Sequence, residues 1–227
     1  MTRTAIVAGA GGSAGRAICA GLASAGFHVV AVARDRARLA EELDGIPAEL
    51  IEADLGAPDD VARAFGTRQA DALVYNAGRI DLAALAGTSA DVFQASWRTN
   101  ALGAFLSARA LAPGMLARGA GSMVFMGATG SLRGGGRTHA FASSKHALRG
   151  LARSLAAELG PGGVHVAHVV IDGKIWGERT LERFPGTRQS ECLAPSDVAR
   201  TVLELIGQPP SAWTFEHDLR PRPAKGA

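Results

Sequence analysis

An α/β fold, one doubly wound sheet of about seven parallel strands with helices on both faces, is predicted by three observations. Residues 4–35 read as an apolar run, a glycine-rich turn, a small-residue helix and a second apolar run. Uninterrupted apolar runs at 5–8, 29–33, 72–75, 123–126 and 164–171 fit strands covered on both faces, because a half-exposed sheet would alternate. Helical patterns near 14–25, 35–43, 58–66, 89–117, 140–159 and 196–207 separate these runs.

The first βαβ unit carries the most chemical information. Gly9, Gly11, Gly12 and Gly15 leave the turn without side chains where a pyrophosphate must approach the backbone. The following helix offers that anion its unpaired N–H groups and the positive end of its dipole. A strand before the turn and a helix after it supply the context this motif requires, so a nucleotide cofactor and a Rossmann-like domain are expected. Residues 48–53 add the third strand, and 211–218 close the sheet at its far edge. Ser196, before Asp197, is the expected N-cap of the last helix.

With 227 residues the chain is long enough to bury a full core as one domain, and no Pro/Ser-rich linker or charge block divides it. The expected domain runs over 1–219, with a loose tail at 220–227. A net charge of +3 arises from scattered arginines, and aromatics make up only 5%, which argues against a nucleic-acid face. No stretch is long enough to span a bilayer. Cys19 and Cys192 lack metal-ligand spacing, so no metal site and no disulfide are expected, consistent with a cytoplasmic protein that handles a small molecule.

Two polar residues interrupt apolar helix faces. Phe93, Trp97, Asn100 and Ala104 follow one stripe, which turns Asn100 toward the core, either as a satisfied amide or as a group binding a water or ligand. Phe141, Lys145, Leu148, Ala152, Leu155 and Leu159 form a second stripe, with Lys145 its only charge and near the helix N-terminus, against the dipole. Lys145 either snorkels to solvent or meets an anionic or polyhydroxyl partner.

With Asp54-Leu55 after the third strand and Asn76-Ala77-Gly78 after the fourth, residues 4–217 resemble the short-chain dehydrogenase/reductase family. Its three key glycines correspond to Gly9, Ser13 and Gly15, and its Asn-Asn-Ala-Gly to Tyr75–Gly78. The resemblance implies a cofactor site of Gly9, Gly11, Gly12, Ser13, Ala14 and Gly15, with Asp54 and Leu55 at the adenine and Asn76, Ala77 and Gly78 lining the cleft. Lys145 would hold the nicotinamide ribose, and Ile171, Gly173 and Ile175 would meet the carboxamide, with Asp172 replacing the family's proline. Residues 174–190 would form a mobile substrate loop containing Trp176. The family commonly pairs the helices corresponding to 89–117 and 140–159 across subunits, implying a homodimer or homotetramer.

The resemblance also implies a catalytic Asn, Ser, Tyr and Lys, of which Asn100 and Lys145 remain. Phe141 stands where the Tyr-x-x-x-Lys motif has its tyrosine, and Ala128 where the serine is expected. Tyr75, the only tyrosine, lies at the end of the fourth strand and cannot substitute. Polar neighbours are Ser143 and Ser144 within the helix turn, Thr129, read as a hydroxyl satisfying loop backbone, and His139, read as a solvent-facing loop histidine or, with an ordinary pKa of about 6.5, a proton-transfer group. Ala128, Thr129, His139, Phe141 and Trp176 are the expected substrate pocket. Ala33 occupies the position where a carboxylate would bind the ribose 2′-OH, and Arg34 follows it, predicting NADP(H) over NAD(H). The expected activity is an NADP(H)-dependent reduction of a small carbonyl, imine or activated alkene with an altered proton relay. The competing expectation is a cofactor-binding protein without redox activity, serving as a sensor, scaffold or non-redox cyclase/isomerase.

Overall fold

A computed structural model describes residues 2–222. Seven strands form one parallel sheet: β1 (Thr4–Ala8), β2 (His28–Ala33), β3 (Glu49–Glu52), β4 (Ala72–Tyr75), β5 (Gly121–Met126), β6 (Val164–Ile171) and, after a short pair, β9 (Glu216–Leu219). Their spatial order is β3-β2-β1-β4-β5-β6-β9. The chain therefore builds outward from β1 to β3, then returns to lay β4 on the other side of β1. The crevice beyond the carboxyl ends of β1 and β4 is the topological switch point, where open α/β sheets receive ligands.

The apolar runs form strands because both faces are covered: every residue of β4 and β6 is buried. On one face Leu73, Tyr75, Met123 and Phe125 pack under Val61 and Phe65 of α3 (Pro58–Phe65), Leu111 of α5 (Gly103–Arg118) and Leu148 and Ala152 of α6 (His139–Leu159). On the other, Val7, Val74 and Val169 pack under Ile18 and Leu22 of α1 (Gly12–Ser24), Leu39 of α2 (Arg36–Glu42) and Val198 and Val202 of α8 (Pro195–Ile206).

Several local expectations are corrected. The helical pattern at 89–117 is not one helix: α4 (Ala90–Trp97) passes through a π turn, Arg98–Leu102, into α5. The Gly103 N–H bonds back to the Arg98 carbonyl, five residues earlier, and the Thr99 carbonyl accepts instead from the Tyr75 hydroxyl at 2.6 Å. This extra residue per turn rotates α4, so Phe93 and Trp97 stand exposed while Ser96 and Asn100 are buried. Ser196 is not an N-cap; Ala194 caps α8, with Pro195 in the first turn, where its missing N–H costs nothing. Residues 174–190 are not wholly loop. Lys174–Ile175 (β7) pairs with Cys192–Leu193 (β8), and Glu178–Arg183 forms α7 between them.

Of the tail expected at 220–227, residues 223–227 lie outside the described range. Arg220 is tied down, pairing with Asp218 and, at 3.5 Å, with Asp172. Cys19 and Cys192 are free, and burial pushes the Cys19 thiol up to about 12.

Candidate functional site

The glycine-rich turn between β1 and α1 sits at the switch point and is shaped for close approach. Gly9 and Gly12 have φ of +88° and +76°, in the left-handed region that favours glycine. A methyl group at Gly9 would collide with the Ala77 backbone, and one at Gly15 with the Ala10 carbonyl. The Asn76 amide locks the two strand ends together by donating to the Gly9 carbonyl at 2.7 Å. Gly11 is the N-cap of α1 and supplies no side-chain bond to the helix N–H groups. At the end of β2, Arg34 is exposed and Asp35 caps α2 through the Arg38 N–H. Asp54 accepts from the Gly56 N–H at 2.9 Å, closing the turn after β3, and Leu55 is buried.

Asn100 and Lys145 converge from the π turn and α6. A methyl at Gly78 would lie 3.7 Å from both the Asn100 Oδ1 and the Lys145 Nζ. Asn100 accepts from the Arg79 N–H at 2.8 Å and donates to the Arg79 carbonyl at 2.9 Å and the Ser144 Oγ at 2.8 Å. Of the two readings open from sequence, the geometry gives the satisfied amide, one that fixes the segment after β4 to α6. Lys145 does not snorkel. It is 5% exposed, donates to the Met126 carbonyl at 2.8 Å, and burial lowers its pKa to about 8.

Phe141, one turn before Lys145, lays its ring over Gly130, where a methyl would stand 2.9 Å from it. Ala128 donates its N–H to the Ser131 Oγ at 3.1 Å. Thr129 does not serve loop backbone; its hydroxyl donates to Asp172 at 2.6 Å, and Arg133 joins the same carboxylate at 3.3 Å. His139 is not a solvent-facing loop residue either. It begins α6 and is half-buried, with Nε2 2.6 Å from the Thr88 hydroxyl, a partner offered by the turn before α4. Ile171, the last residue of β6, is buried; beyond it Gly173 lies against Pro221, Ile175 belongs to β7, and Trp176 is half-buried with its backbone N–H on the Leu193 carbonyl. Tyr75 is fully buried, and burial raises its phenol far above its ordinary range.

Two clusters escaped the sequence reading. His168 on β6 is buried, with Nδ1 3.1 Å from Glu216, which Arg149 holds at 2.6 Å. Its Nε2 points at Gly127 without a partner among the described residues, and burial, against the pull of Glu216, lowers its pKa to about 4. Two histidines, His165 and His168, inside the otherwise apolar strand run Val164–Ile171 were the available signal. The second cluster, Glu42 with Arg38 and Arg179, stands over the glycine turn. Nothing in a charged, exposed-looking helix pattern at 36–42 distinguishes Glu42.

Residues 3–173 match the short chain dehydrogenase family. The chain belongs to that family. It is an oxidoreductase of the short-chain dehydrogenase/reductase type, a family that uses nicotinamide cofactors. It is 36% identical to xanthoxin dehydrogenase of Arabidopsis thaliana over 187 residues, 68% of this chain and 63% of that enzyme, so the match spans less than two thirds of the relative. A short-chain dehydrogenase from Rhodopseudomonas palustris superposes with a TM-score of 0.79 at 34% identity, covering 96% of this chain and 98% of the other. A metagenomic short-chain oxidoreductase in complex with NADP superposes with a TM-score of 0.81 at 27% identity, covering 98% of each chain. No helix among the described residues is long and apolar enough to cross a membrane.

Proposed function

We propose that this family member is an NADP(H)-dependent oxidoreductase with an altered proton relay, acting on a small carbonyl, imine or activated alkene. The observation that carries the reading is Lys145 buried beside Gly78 at the switch point, with a phenylalanine one helical turn before it. The turn from Gly9 to Gly15 fits a pyrophosphate, since its glycines exclude side chains and α1 brings N–H groups to it. Asp54 and Leu55 would flank the adenine, Asn76 to Gly78 the middle of the cofactor, and Ile171, Gly173 and Ile175 the carboxamide. When bound, the nicotinamide supplies or accepts hydride.

Within the pocket, Lys145 would hold the ribose and keep an exchangeable proton at Nζ, near the operating range of the reaction because burial has brought its pKa to about 8. Phe141 carries no proton and Ala128 no hydroxyl, so a ketone's developing alkoxide lacks the acid that ordinarily neutralises it. An iminium substrate becomes a neutral amine without that acid, and an activated alkene takes its proton later from water. Ala128, Thr129, Phe141 and Trp176 are the proposed pocket walls. His139, engaged with Thr88, would need to leave that partner to act as a base.

Cofactor choice rests on Arg34, exposed at the end of β2 beside Ala33 rather than a carboxylate, and the NADP-bound relative supports it. NADPH is expected to be consumed with an imine or activated-alkene panel and to bind wild type more tightly than NADH. Arg34→Ala should lose about tenfold or more in NADPH affinity, the loss of a charge-assisted contact, with NADH unaffected. Equal loss for both cofactors rejects the Arg34 role, and cofactor binding without turnover of any substrate supports the sensor, scaffold or non-redox isomerase reading.

We further propose a homodimer or homotetramer. Phe93, Trp97, Leu102 and Phe105 leave apolar surface exposed along α4, the π turn and α5, while Leu148 is wholly buried within the subunit and Leu151 and Leu155 only partly. Light scattering should give a multiple of the 23.3 kDa chain mass. Phe105→Glu should shift it toward the monomer; a monomer mass for wild type at all concentrations removes the assignment.

A further inference from the structure

The anion position of the glycine turn already has a carboxylate seated on it. Glu42, the last residue of α2, accepts from the Gly12 N–H through Oε2 at 2.6 Å. Its Oε1 accepts from the Arg38 Nε at 2.9 Å and from the Arg179 Nη2 at 2.9 Å. Its backbone carbonyl accepts from the Arg16 Nε at 2.9 Å. The carboxylate lies over Gly11, where a methyl would stand 2.7 Å from Oε2, and the Arg179 guanidinium lies over Gly12, 3.0 Å from a methyl placed there. Two guanidinium groups and a helix N-terminal N–H converging on one anion are the donor set that a phosphate oxygen takes.

Burial opposes the charge of Glu42, but the Gly12 N–H, Arg38 and Arg179 outweigh it and hold the carboxyl below its usual range. Glu42 is therefore ionised at neutral pH. Arg179 is brought here by α7. Gly177, at the entry to that helix, packs so closely on Ser13 that a methyl would come within 2.6 Å of the Ser13 Oγ. The Arg179 guanidinium is half-exposed while Glu42 is partly buried, and a pair with one solvated partner is worth little in stability, so the arrangement has its meaning in geometry rather than in holding the fold.

We propose that Arg179 is a phosphate-binding residue of the cofactor site and that Glu42 is a built-in competitor for the same donors. A phosphate of the dinucleotide takes the place of Glu42 on the Gly12 N–H, and Arg179 and Arg38 pass their hydrogen bonds from the carboxylate to it. Displacement of Glu42 weakens cofactor affinity, while Arg179 couples that affinity to the position of α7 and the loop it belongs to. The inference rests on the cofactor reading of the glycine turn. The phosphate is either one of the pyrophosphate groups, common to NADH and NADPH, or the 2′-phosphate of NADPH alone.

Calorimetric titration of NADPH and NADH against wild type, Glu42→Gln, Glu42→Ala, Arg179→Gln and the Glu42→Ala/Arg179→Gln double variant tests this. Far-UV circular dichroism establishes that each variant is folded. Removing Glu42 should tighten binding about threefold or more, and Arg179→Gln should weaken it about tenfold, the effect of one charge-assisted hydrogen bond. The double variant decides the role of Arg179, because it should remain about tenfold weaker than Glu42→Ala alone. A change for both cofactors assigns the pyrophosphate, and a change for NADPH alone assigns the 2′-phosphate. If Arg179 merely clamps Glu42, Arg179→Gln leaves binding unchanged or tightens it and the double variant equals Glu42→Ala, which overturns the proposal while the cofactor reading stands. Failure of folded wild type and every variant to bind either dinucleotide overturns both.

Discussion

Lys145→Met is expected to give a protein more stable than wild type at neutral pH and at least a hundredfold less active. The ammonium is buried, with the Met126 carbonyl the one acceptor it reaches among the described residues. A fall in its pKa from 10.5 to about 8 on folding corresponds to about 3 kcal/mol of unfavourable burial while the lysine is protonated. Methionine removes that cost at similar length but leaves the carbonyl without its donor, which offsets about 1–3 kcal/mol. A net gain of about 1 kcal/mol raises Tm by about 2–4 °C.

The pH dependence gives the sharper signature. Between pH 8 and 10.5 the unfolded lysine binds a proton that the folded one does not, so the Lys145 contribution to stability rises with pH across this window. The Cys19 thiol, raised by burial to about 12, contributes the opposite slope above pH 9 in both proteins, so the informative quantity is the difference between them. The advantage of Lys145→Met should be full below pH 8 and shrink toward pH 10.5. Activity should fall about 10²–10⁴-fold, the range of a lost proton-transfer group. Thermal melts from pH 7 to 10 check this, and a variant less stable than wild type with an unchanged pH slope would mean that the ammonium is well solvated.

The centre of the sheet was legible because strands such as β4 and β6 are buried on both faces: continuous apolar runs such as Val-Val-Ala-Val-Ala at 29–33 fit no half-exposed sheet. The π turn was not, since Arg-Thr-Asn-Ala-Leu carries no composition that distinguishes it from α-helix. Its stabilising partner, the Tyr75 hydroxyl, arrives from a strand 24 residues earlier in the chain. The same limit applies across the site. Local spacing put Phe141 and Lys145 on one helix face, whereas Glu42 and Arg179 are 137 residues apart and meet only because α7 folds back over the glycine turn. Thr129 and Asp172 likewise meet across the ends of neighbouring strands, so a hydroxyl that sequence assigns to its own loop finds a distant carboxylate. Residue types with one dominant environment were readable; polar side chains with several available partners were not.

Phe141→Tyr with Ala128→Ser is expected to raise kcat/KM for simple ketones about tenfold or more while leaving the NADPH dissociation constant unchanged. The phenol would extend from a ring already seated on Gly130, on the same helix face as Lys145 one turn later. The ammonium would favour ionised phenolate and so lower its pKa toward the working range, and the rate should acquire a new decline at alkaline pH as that acid deprotonates. Serine at 128, beside the Ser131 Oγ that already bonds this residue's N–H, would orient the carbonyl. The expected gain is below the full 10²–10⁴ of a proton donor because a displacement of about 1 Å can cost about 10²-fold. The wild-type measurement is the decisive one: poor turnover of unactivated ketones is required. Efficient reduction by wild type, unaffected by substituting His139, Thr129 or Lys145, would refute the altered relay whatever the double variant does.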